Sequence, residues 1–281
     1  IGYVVTLLCF IFRHGDRTSG PEEIKRFPSA HLNNSVFYPY GEKGLTNEGK
    51  RHAYNVGEYL RKRYDGFLSE LYLPEEISIR TTDFARTKMT VLAALAGLYP
   101  PNRQQKWNYY LNWQPIPYDT RTVTRWFVCP LFHKKKSKCI SVKYPKTKTK
   151  RLHDTSFAGV ALGEFVEASR AIMSGDSSQP KVHLLSAHEN SVAGFMAAAG
   201  VFTKPHQPSY GATFSLELRR NVTTSKYGVM AVYSAQPGGP GVQLPIPGCE
   251  GQTLCDFDTY LDLRKDIYIS RDEYKKECGA Q

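Results

Sequence analysis

Apolar residues are concentrated in short runs in the outer thirds of the chain, and polar loops separate these runs. Residues 3–12 form a nearly continuous apolar run, which is typical of a strand buried on both faces. Shorter apolar segments at residues 75–80 and 181–187 predict two more strands. Two further strands are predicted at residues 213–218 and 229–234.

Apolar residues also recur at helical spacing between these runs. Thr46 is predicted to cap a first helix, and Asp83 a second. Residues 158–173 and 191–199 predict two more helices. Strands that alternate with helices in this way indicate an α/β fold.

The middle of the chain breaks this alternation. Residues 102–180 show weak periodicity, many prolines and a run of basic residues. We therefore divide the chain into an α/β core, formed by residues 1–115 and 181–281, and a small basic cap insert at residues 116–180.

Charged residues follow three of the predicted strands. Ligands of α/β folds bind at the carboxyl ends of strands, so these residues are expected to converge on one edge of the sheet. The three clusters are Arg13-His14 with Arg17, then Arg80, and finally His188-Glu189.

These residue types suit phosphoryl transfer, which needs charge neutralisation, a nucleophile and a proton for the leaving oxygen. Neutral His14 can attack phosphorus. His188 can donate a hydrogen bond to the phosphoryl group, and Glu189 can protonate the leaving group. The phosphate oxygens would be bound by three arginines, which are Arg13, Arg17 and Arg80. No metal ion or other cofactor is expected, because the arginines take the place of a dication.

Each cluster taken alone has a simpler interpretation. A single Arg-His or His-Glu pair is more often surface decoration than a site, and Arg80 could be a loop residue that leads into a helix. His52, on the first predicted helix, is interpreted as a surface or core-edge histidine. The joint occurrence of the three clusters, each after a strand, favours the catalytic interpretation.

The net charge of +11 comes from one part of the 281-residue chain. The segment from Arg121 to Arg151 holds eleven Lys and Arg and no acidic residue, and the remaining chain carries 26 residues of each sign. Such a segment is either a solvated loop or a patch that attracts polyanions, anionic surfaces or a charged substrate. No nucleic-acid-binding motif accompanies it, so no specific nucleic-acid partner is expected.

Six cysteines and two sequons, at Asn33 and Asn221, favour an oxidising, secretory route. Cys249 and Cys255 could close a small loop, although spacing does not fix the pairing, and Cys9 is interpreted as a buried strand thiol. No apolar run reaches about 18 residues, so no transmembrane helix is expected. The apolar start is interpreted as a strand of the mature chain, with any signal peptide already removed.

The motif Arg13-His14-Gly15-Asp16-Arg17 is similar to the RHGxR signature of the histidine acid phosphatases. Further segments resemble the animal prostatic and lysosomal members of that family, over residues 3–130 and 181–278. These segments are residues 44–46, 57–64, 79–83, 86–87, 113–117, 129–130 and 208–212.

The resemblance implies a phosphoglycerate-mutase-like, three-layer α/β/α core with a small, mostly irregular or helical cap. It implies metal-independent hydrolysis of phosphate monoesters in acid, with His14 as the phosphorylated nucleophile and Glu189 as the proton donor. The implied phosphate-binding residues are Arg13, Arg17, Arg80 and His188. The implied disulfides are Cys129–Cys278 and Cys249–Cys255.

Three departures from the family pattern stand out. Glu189 replaces the usual Asp, and Ser19 replaces the proline that ends the signature. Only 58 residues separate Cys129 from His188, so the cap is truncated. Cys139, in the basic segment, is left free or intermolecular.

The sequence therefore predicts a secreted or lysosomal histidine acid phosphatase that acts on small or exposed phosphomonoesters. The alternative is a secreted protein that binds anions or polyanions on a phosphatase scaffold, with little or no turnover. A phosphoglycerate-mutase-like transferase is disfavoured by the secretory features and the acid-phosphatase segments. A homodimer stays open, since dimers are common among the relatives.

Overall fold

The computed structural model describes residues 2–27, 37–120, 155–252, 254–270 and 272–273. Several features expected from the sequence lie outside these ranges. They are the basic segment from Arg121 to Arg151, the sequon at Asn33, and the cysteines Cys129, Cys139 and Cys278.

Within the described residues helices lie between the first four strands, and the last four strands follow one another before a final helix. The strands are β1 (Tyr3–Arg13), β2 (Ile77–Thr81), β3 (Val182–Ala187), β4 (Thr213–Asn221), β5 (Tyr227–Ser234), β6 (Val242–Leu244) and β7 (Cys255–Asp256). The helices are α1 (Pro21–Arg26), α2 (Asn47–Arg63), α3 (Ala85–Leu98), α4 (Thr155–Met173), α5 (Glu189–Ala198) and α6 (Phe257–Arg264).

The strands form one mixed sheet with the order β2-β3-β1-β4-β5-β6, and β7 pairs with β5. Strand β3 runs parallel to both β1 and β2. Strand β4 runs antiparallel to β1, and β5 antiparallel to β4. The parallel half of the sheet therefore joins three strands whose carboxyl ends share one edge.

Strand β1 is buried on both faces, as its continuous apolar run predicts. The odd-numbered side chains of residues 7–11 belong to the cluster that also contains residues of α4, α5 and α6. The even-numbered side chains of residues 8–12 belong to the cluster that contains residues of α2 and α3. Helices thus cover both faces of the sheet, and the predicted α/β class is confirmed.

The predicted cap of α2 is confirmed and that of α3 is wrong. The Oγ1 atom of Thr46 accepts a hydrogen bond from the Gly49 amide at 3.0 Å, which satisfies one of the free amides of the first turn. Extended backbone continues to Phe84, which is the N-cap residue of α3 and makes no side-chain capping bond. Asp83 lies one residue too early to cap, and its carboxylate instead lies 2.5 Å from the Lys88 Nζ atom.

Helix α4 packs against the sheet, although the sequence analysis assigns its residues to the cap. Ala158, Leu162, Phe165 and Val166 are buried in the same cluster as the odd-numbered side chains of β1. The helix thus forms part of the α/β core. We propose that the insert is confined to the segment that precedes α4.

The disulfide Cys249–Cys255 closes the small loop before α6, with its Cα atoms 5.2 Å apart. Cys9 is a buried free thiol in β1, as expected. Asn221 is only 6% exposed, and its Oδ1 atom accepts hydrogen bonds from the amides of Thr223 and Thr224. Glycosylation of Asn221 stays a prediction. Among the described residues, no helix is both long and apolar enough to cross a membrane.

Candidate active site

The signature loop leaves β1 at the sheet edge where β1, β2 and β3 end. The register pairs Arg13 with Ala187 at the end of β3, and the His14 amide donates to the Ala187 carbonyl at 2.9 Å. On its other side the His14 carbonyl accepts from the Gly211 amide at 3.2 Å. Backbone bonds on both sides therefore fix His14, whose residue surface is 1% exposed.

The signature loop and the first turn of α2 touch through two glycines. A Cβ atom on Gly15 would lie 2.2 Å from the Gly49 carbonyl oxygen, and a Cβ on Gly49 would lie 2.2 Å from the Asp16 carbonyl oxygen. No other residue type fits this close approach of two backbones. It brings the amino end of α2 directly under the loop that carries His14.

Polar contacts hold the same loop against α2. The Thr46 amide and its Oγ1 atom donate to the Asp16 carbonyl at 2.9 and 3.1 Å. The Nδ1 atom of His52 lies 2.5 Å from Asp16 Oδ2, and its Nε2 atom lies 3.0 Å from Glu48 Oε1. His52 therefore anchors the signature loop, a role that its interpretation as a surface or core-edge histidine did not include.

The ring of His14 is held in one tautomer. Its Nδ1 atom lies 2.8 Å from the Gly15 carbonyl oxygen, which can only accept, so Nδ1 carries the proton and Nε2 carries the lone pair. Burial lowers the pKa of His14 to about 2, and the nearby cations Arg86 and Arg13 act in the same direction. The imidazole therefore stays neutral, and Nε2 nucleophilic, through the acid range.

His188 lies beside His14, with ring centroids 5.4 Å apart. Thr82 donates its hydroxyl proton to Thr87, so at 3.0 Å it accepts from the Nε2 atom of His188. The other ring nitrogen, Nδ1, lies 3.4 Å from an Nη atom of Arg86. Burial, with the charge of Arg86 next, lowers the pKa of His188 to about 4.

The structure brings Arg86, and not Arg80, to the two histidines. Arg86 lies in the first turn of α3, on the α2 and α3 face of the sheet. Burial lowers the pKa of Arg86, and the like charge of Arg17 lowers it further, as expected for cations gathered around one pocket. From the sequence, only the position of Arg86 at the start of α3 could have indicated that it lies beside the two histidines.

Arg80 points to the opposite face of the sheet. Its register partner on β3 is Leu185, which in turn pairs with Ile11 of β1. Aligned residues on neighbouring parallel strands share a face, and Ile11 faces α4. The Arg80 guanidinium accordingly donates to both carboxylate oxygens of Glu164 on α4, at 3.1 and 2.6 Å. The sequence predicts Arg80 among the phosphate-binding residues, whereas the structure pairs it with Glu164.

Arg13 is held by the loop that precedes β4. Its Nη1 atom donates to the Pro208 carbonyl at 2.8 Å, and its Cζ atom lies 3.9 Å from the centroid of the Tyr210 ring. The Glu189 Oε2 atom lies 3.1 Å from Arg13 Nε, in an ion pair without hydrogen-bond geometry. Tyr210, whose ring centroid lies 5.5 Å from that of His14, is a further residue that sequence reasoning missed.

Arg17 is paired with a carboxylate from α1. Its two Nη atoms donate to the two Glu23 oxygens at 2.8 and 2.5 Å, and Nη1 also donates to the Thr18 carbonyl. Glu23 is fixed in turn because its Oε2 atom accepts from the Gly20 amide at 2.7 Å. The hydrogen bond from Arg17 lowers the pKa of Glu23 to about 2.

Comparisons with known proteins identify phosphatases as relatives of the chain. Residues 4–120 match the family described as the histidine phosphatase superfamily (branch 2). The venom acid phosphatase of Apis mellifera is 29% identical, over 94% of this chain and 85% of that protein. The prostatic acid phosphatase of Bos taurus is 42% identical over 41% of this chain, and the lysosomal acid phosphatase of Homo sapiens is 42% identical over 43%. Those last two matches span only 28% and 26% of the relatives' own length.

Solved structures with a similar fold include bacterial phytases. The phytase of Citrobacter braakii aligns over 99% of both chains with a TM-score of 0.58 and 14% identity. The Hafnia alvei phytase in complex with tartrate aligns over 99% of this chain and 98% of its own, with a TM-score of 0.57 and 14% identity. At this identity the likeness shows the fold alone. Residues 4–120 are thus similar to branch 2 of the histidine phosphatase superfamily, and the curated relatives that the chain matches are acid phosphatases.

Proposed function

We propose that the protein hydrolyses phosphate monoesters through a phosphohistidine at His14. One observation carries the proposal. The buried His14 ring donates from Nδ1 to the Gly15 carbonyl, and this leaves a neutral Nε2 lone pair among Arg13, Arg17 and Arg86.

The arginines supply the phosphate site. The Nε atoms of Arg13, Arg17 and Arg86 are buried without a hydrogen bond among the described residues, although Arg13 Nε lies 3.1 Å from the Glu189 carboxylate. The same holds for the Nε atoms of Arg63, Arg80 and Arg264, so the first three arginines are distinguished by their position around the two histidines. A buried donor without an acceptor is costly, so a phosphoryl group that accepts from these atoms would be favoured. Arg86 takes the place in this shell that the sequence analysis gave to Arg80.

Phosphoryl transfer to the enzyme forms one bond and breaks another. The Nε2 atom of His14 bonds to phosphorus, and the bond between phosphorus and the ester oxygen breaks. Glu189, at the first position of α5 and beside His188, gives its proton to the departing oxygen. The arginines stabilise the charge that spreads over the three other phosphoryl oxygens.

Hydrolysis then returns the enzyme to its starting state. A water molecule bonds to phosphorus as the bond to His14 Nε2 breaks, and Glu189 takes the proton of that water. Inorganic phosphate leaves, Glu189 is protonated again, and His14 is neutral. His188 can donate to a phosphoryl oxygen only as the imidazolium, because in the neutral ring Nε2 already donates to Thr82.

We include the cellular location of the protein and the range of its substrates in the same proposal. The Cys249–Cys255 disulfide supports passage through an oxidising compartment. The basic segment from Arg121 to Arg151 would raise the local concentration of anionic substrates, or hold a polyanion. The substrate class is small or exposed phosphomonoesters.

The test is release of p-nitrophenol from p-nitrophenyl phosphate between pH 4 and 8, with chelator present. The wild type should turn over and His14→Ala should not. His206→Ala is the matched control, because His206 is an exposed histidine that contacts Lys204 and Tyr233, outside the site. A wild type without turnover that still binds phosphate would favour the anion-binding alternative. Equal turnover in wild type and His14→Ala would contradict the phosphohistidine.

A further inference from the structure

Four rings of the site form a chain of successive contacts. The ring centroid of His14 lies 5.5 Å from that of Tyr210 on one side and 5.4 Å from that of His188 on the other. His188 lies 5.0 Å from Phe84, with the two rings at 88°. The two histidines are therefore flanked by an aromatic ring at each end.

The two aromatic rings differ in their surroundings. Tyr210 is packed under the Arg13 guanidinium, at 3.9 Å. Phe84 has the Arg86 guanidinium over its ring at 4.5 Å, yet the residue is 46% exposed. Phe84 therefore presents apolar aromatic surface to solvent beside buried catalytic groups.

The position of Phe84 follows from the start of α3. As the N-cap residue it has extended backbone, with φ −128° and ψ 141°, and its ring contacts His188 and the Arg86 guanidinium. His188 and Glu189 occupy the start of α5 at the same edge. Phe84 thus contacts His188, the residue that precedes the proposed proton donor, and leaves part of its ring exposed to solvent.

We propose that Phe84 selects the leaving group, and that it favours phosphomonoesters whose ester oxygen is carried by an aromatic ring. The inference rests on the proposed function and adds a substrate class to it. The phosphoryl group is bound among arginines that are largely buried, so the leaving group must extend outward, past His188 and Glu189. There its ring contacts the exposed part of Phe84, and stacked or edge-to-face aromatic pairs add to the area that is buried.

A different role for Phe84 would be to hold Arg86 through the cation–π contact alone. That role predicts a different result. Loss of the ring would then weaken binding of any phosphate group, including inorganic phosphate, and would reduce turnover of aromatic and aliphatic esters equally.

The experiment compares Phe84→Leu with the wild type on phenyl phosphate and on glycerol 2-phosphate. Each substrate is compared with itself, so the different reactivities of the two leaving groups cancel. We expect kcat/KM for phenyl phosphate to fall about five- to tenfold, the size of one lost aromatic contact. The value for glycerol 2-phosphate and the Ki of inorganic phosphate should stay within about twofold, and Phe84→Tyr should restore phenyl phosphate turnover.

Tyr54→Leu is the matched control, because Tyr54 is an aromatic residue of α2 with a similar exposure of 39%. It should leave both substrates unchanged. Equal losses on both substrates, or no loss on either, would overturn the leaving-group role. A wild type that hydrolyses neither ester would instead overturn the proposed function, so the two failures can be told apart.

Discussion

Arg80 and Glu164 form an ion pair with two hydrogen bonds, of 3.1 and 2.6 Å, on the face of the sheet that α4 covers. The pair joins β2 to a helix 84 residues later in the chain. Arg80 therefore stands near the carboxyl end of β2, at the sheet edge of the site, but its guanidinium binds a structural partner.

Arg80→Ala should lower stability and leave phosphate binding intact. The change removes the cation that faces the partly buried Glu164 carboxylate, which costs about 2 kcal/mol or more. A loss of that size lowers Tm by several degrees in a chain of this length. The Ki of inorganic phosphate should stay within about threefold in the fraction that remains folded. A large rise in Ki with unchanged Tm would restore Arg80 to the phosphate shell.

Arg86→Ala should show the opposite pattern. Charge-assisted hydrogen bonds contribute about 1.5–3 kcal/mol each, so the Ki of inorganic phosphate should rise more than tenfold. Tm should change little, because burial and the like charge of Arg17, which lower the pKa of Arg86, oppose what its contacts with Phe84 and His188 contribute. Thermal unfolding without phosphate, together with inhibition by phosphate, checks both parts. An unchanged Ki would contradict the assignment.

Glu23→Gln should tighten phosphate binding. The Glu23 carboxylate occupies both Nη atoms of Arg17, and its low pKa keeps it charged at the acid pH of the assay. A phosphate dianion must share Arg17 with this carboxylate and is repelled by it. The Ki of inorganic phosphate should therefore fall about three- to tenfold. A rise in Ki would show instead that Glu23 holds Arg17 in the geometry that binds phosphate.

His14 should make the ligand-free protein less stable in acid. The unfolded chain binds a proton at His14 below about pH 6.5, whereas the folded chain does so only near pH 2. Fewer protons are bound in the folded state between these values, so stability falls as pH falls, by up to about 1.4 kcal/mol per pH unit. His14→Ala should show a shallower decline between pH 6.5 and 4 in urea unfolding. Parallel curves would contradict the neutral state of His14.

The pattern of the sequence was sufficient to predict the strands that end at the site and the loops that follow them. The apolar run of β1 and the segments of β2 and β3 placed Arg13, His14 and His188 together correctly, because parallel strands end at a common edge. The same reasoning could not separate Arg80 from Arg86. A residue at the end of a strand can point to either face, and only the register with Leu185 and Ile11 decides which one.

Contacts between segments that are distant along the chain could not be predicted from the sequence either. Glu164 lies on α4, whose weak periodicity suggested a cap helix, and its partner could not be identified before the helix was placed on the sheet. His52 gave no signal beyond a position on α2, and its role follows from the close approach of the Gly15 and Gly49 backbones. Tyr210 likewise reaches Arg13 only because its loop leads into β4, beside β1.

In the proposed mechanism His14 accepts the phosphoryl group and Glu189 moves the protons. Glu189→Gln should be mixed with 2,4-dinitrophenyl phosphate, whose leaving group needs no proton, and then quenched in alkaline denaturant, where phosphohistidine survives. We expect one phosphoryl group per chain by intact mass, located at His14 by peptide mapping. We also expect the label to decay far more slowly than in the wild type, since no base activates water. A quenched protein without label, or a label that persists in the double variant His14→Ala/Glu189→Gln, would contradict this mechanism.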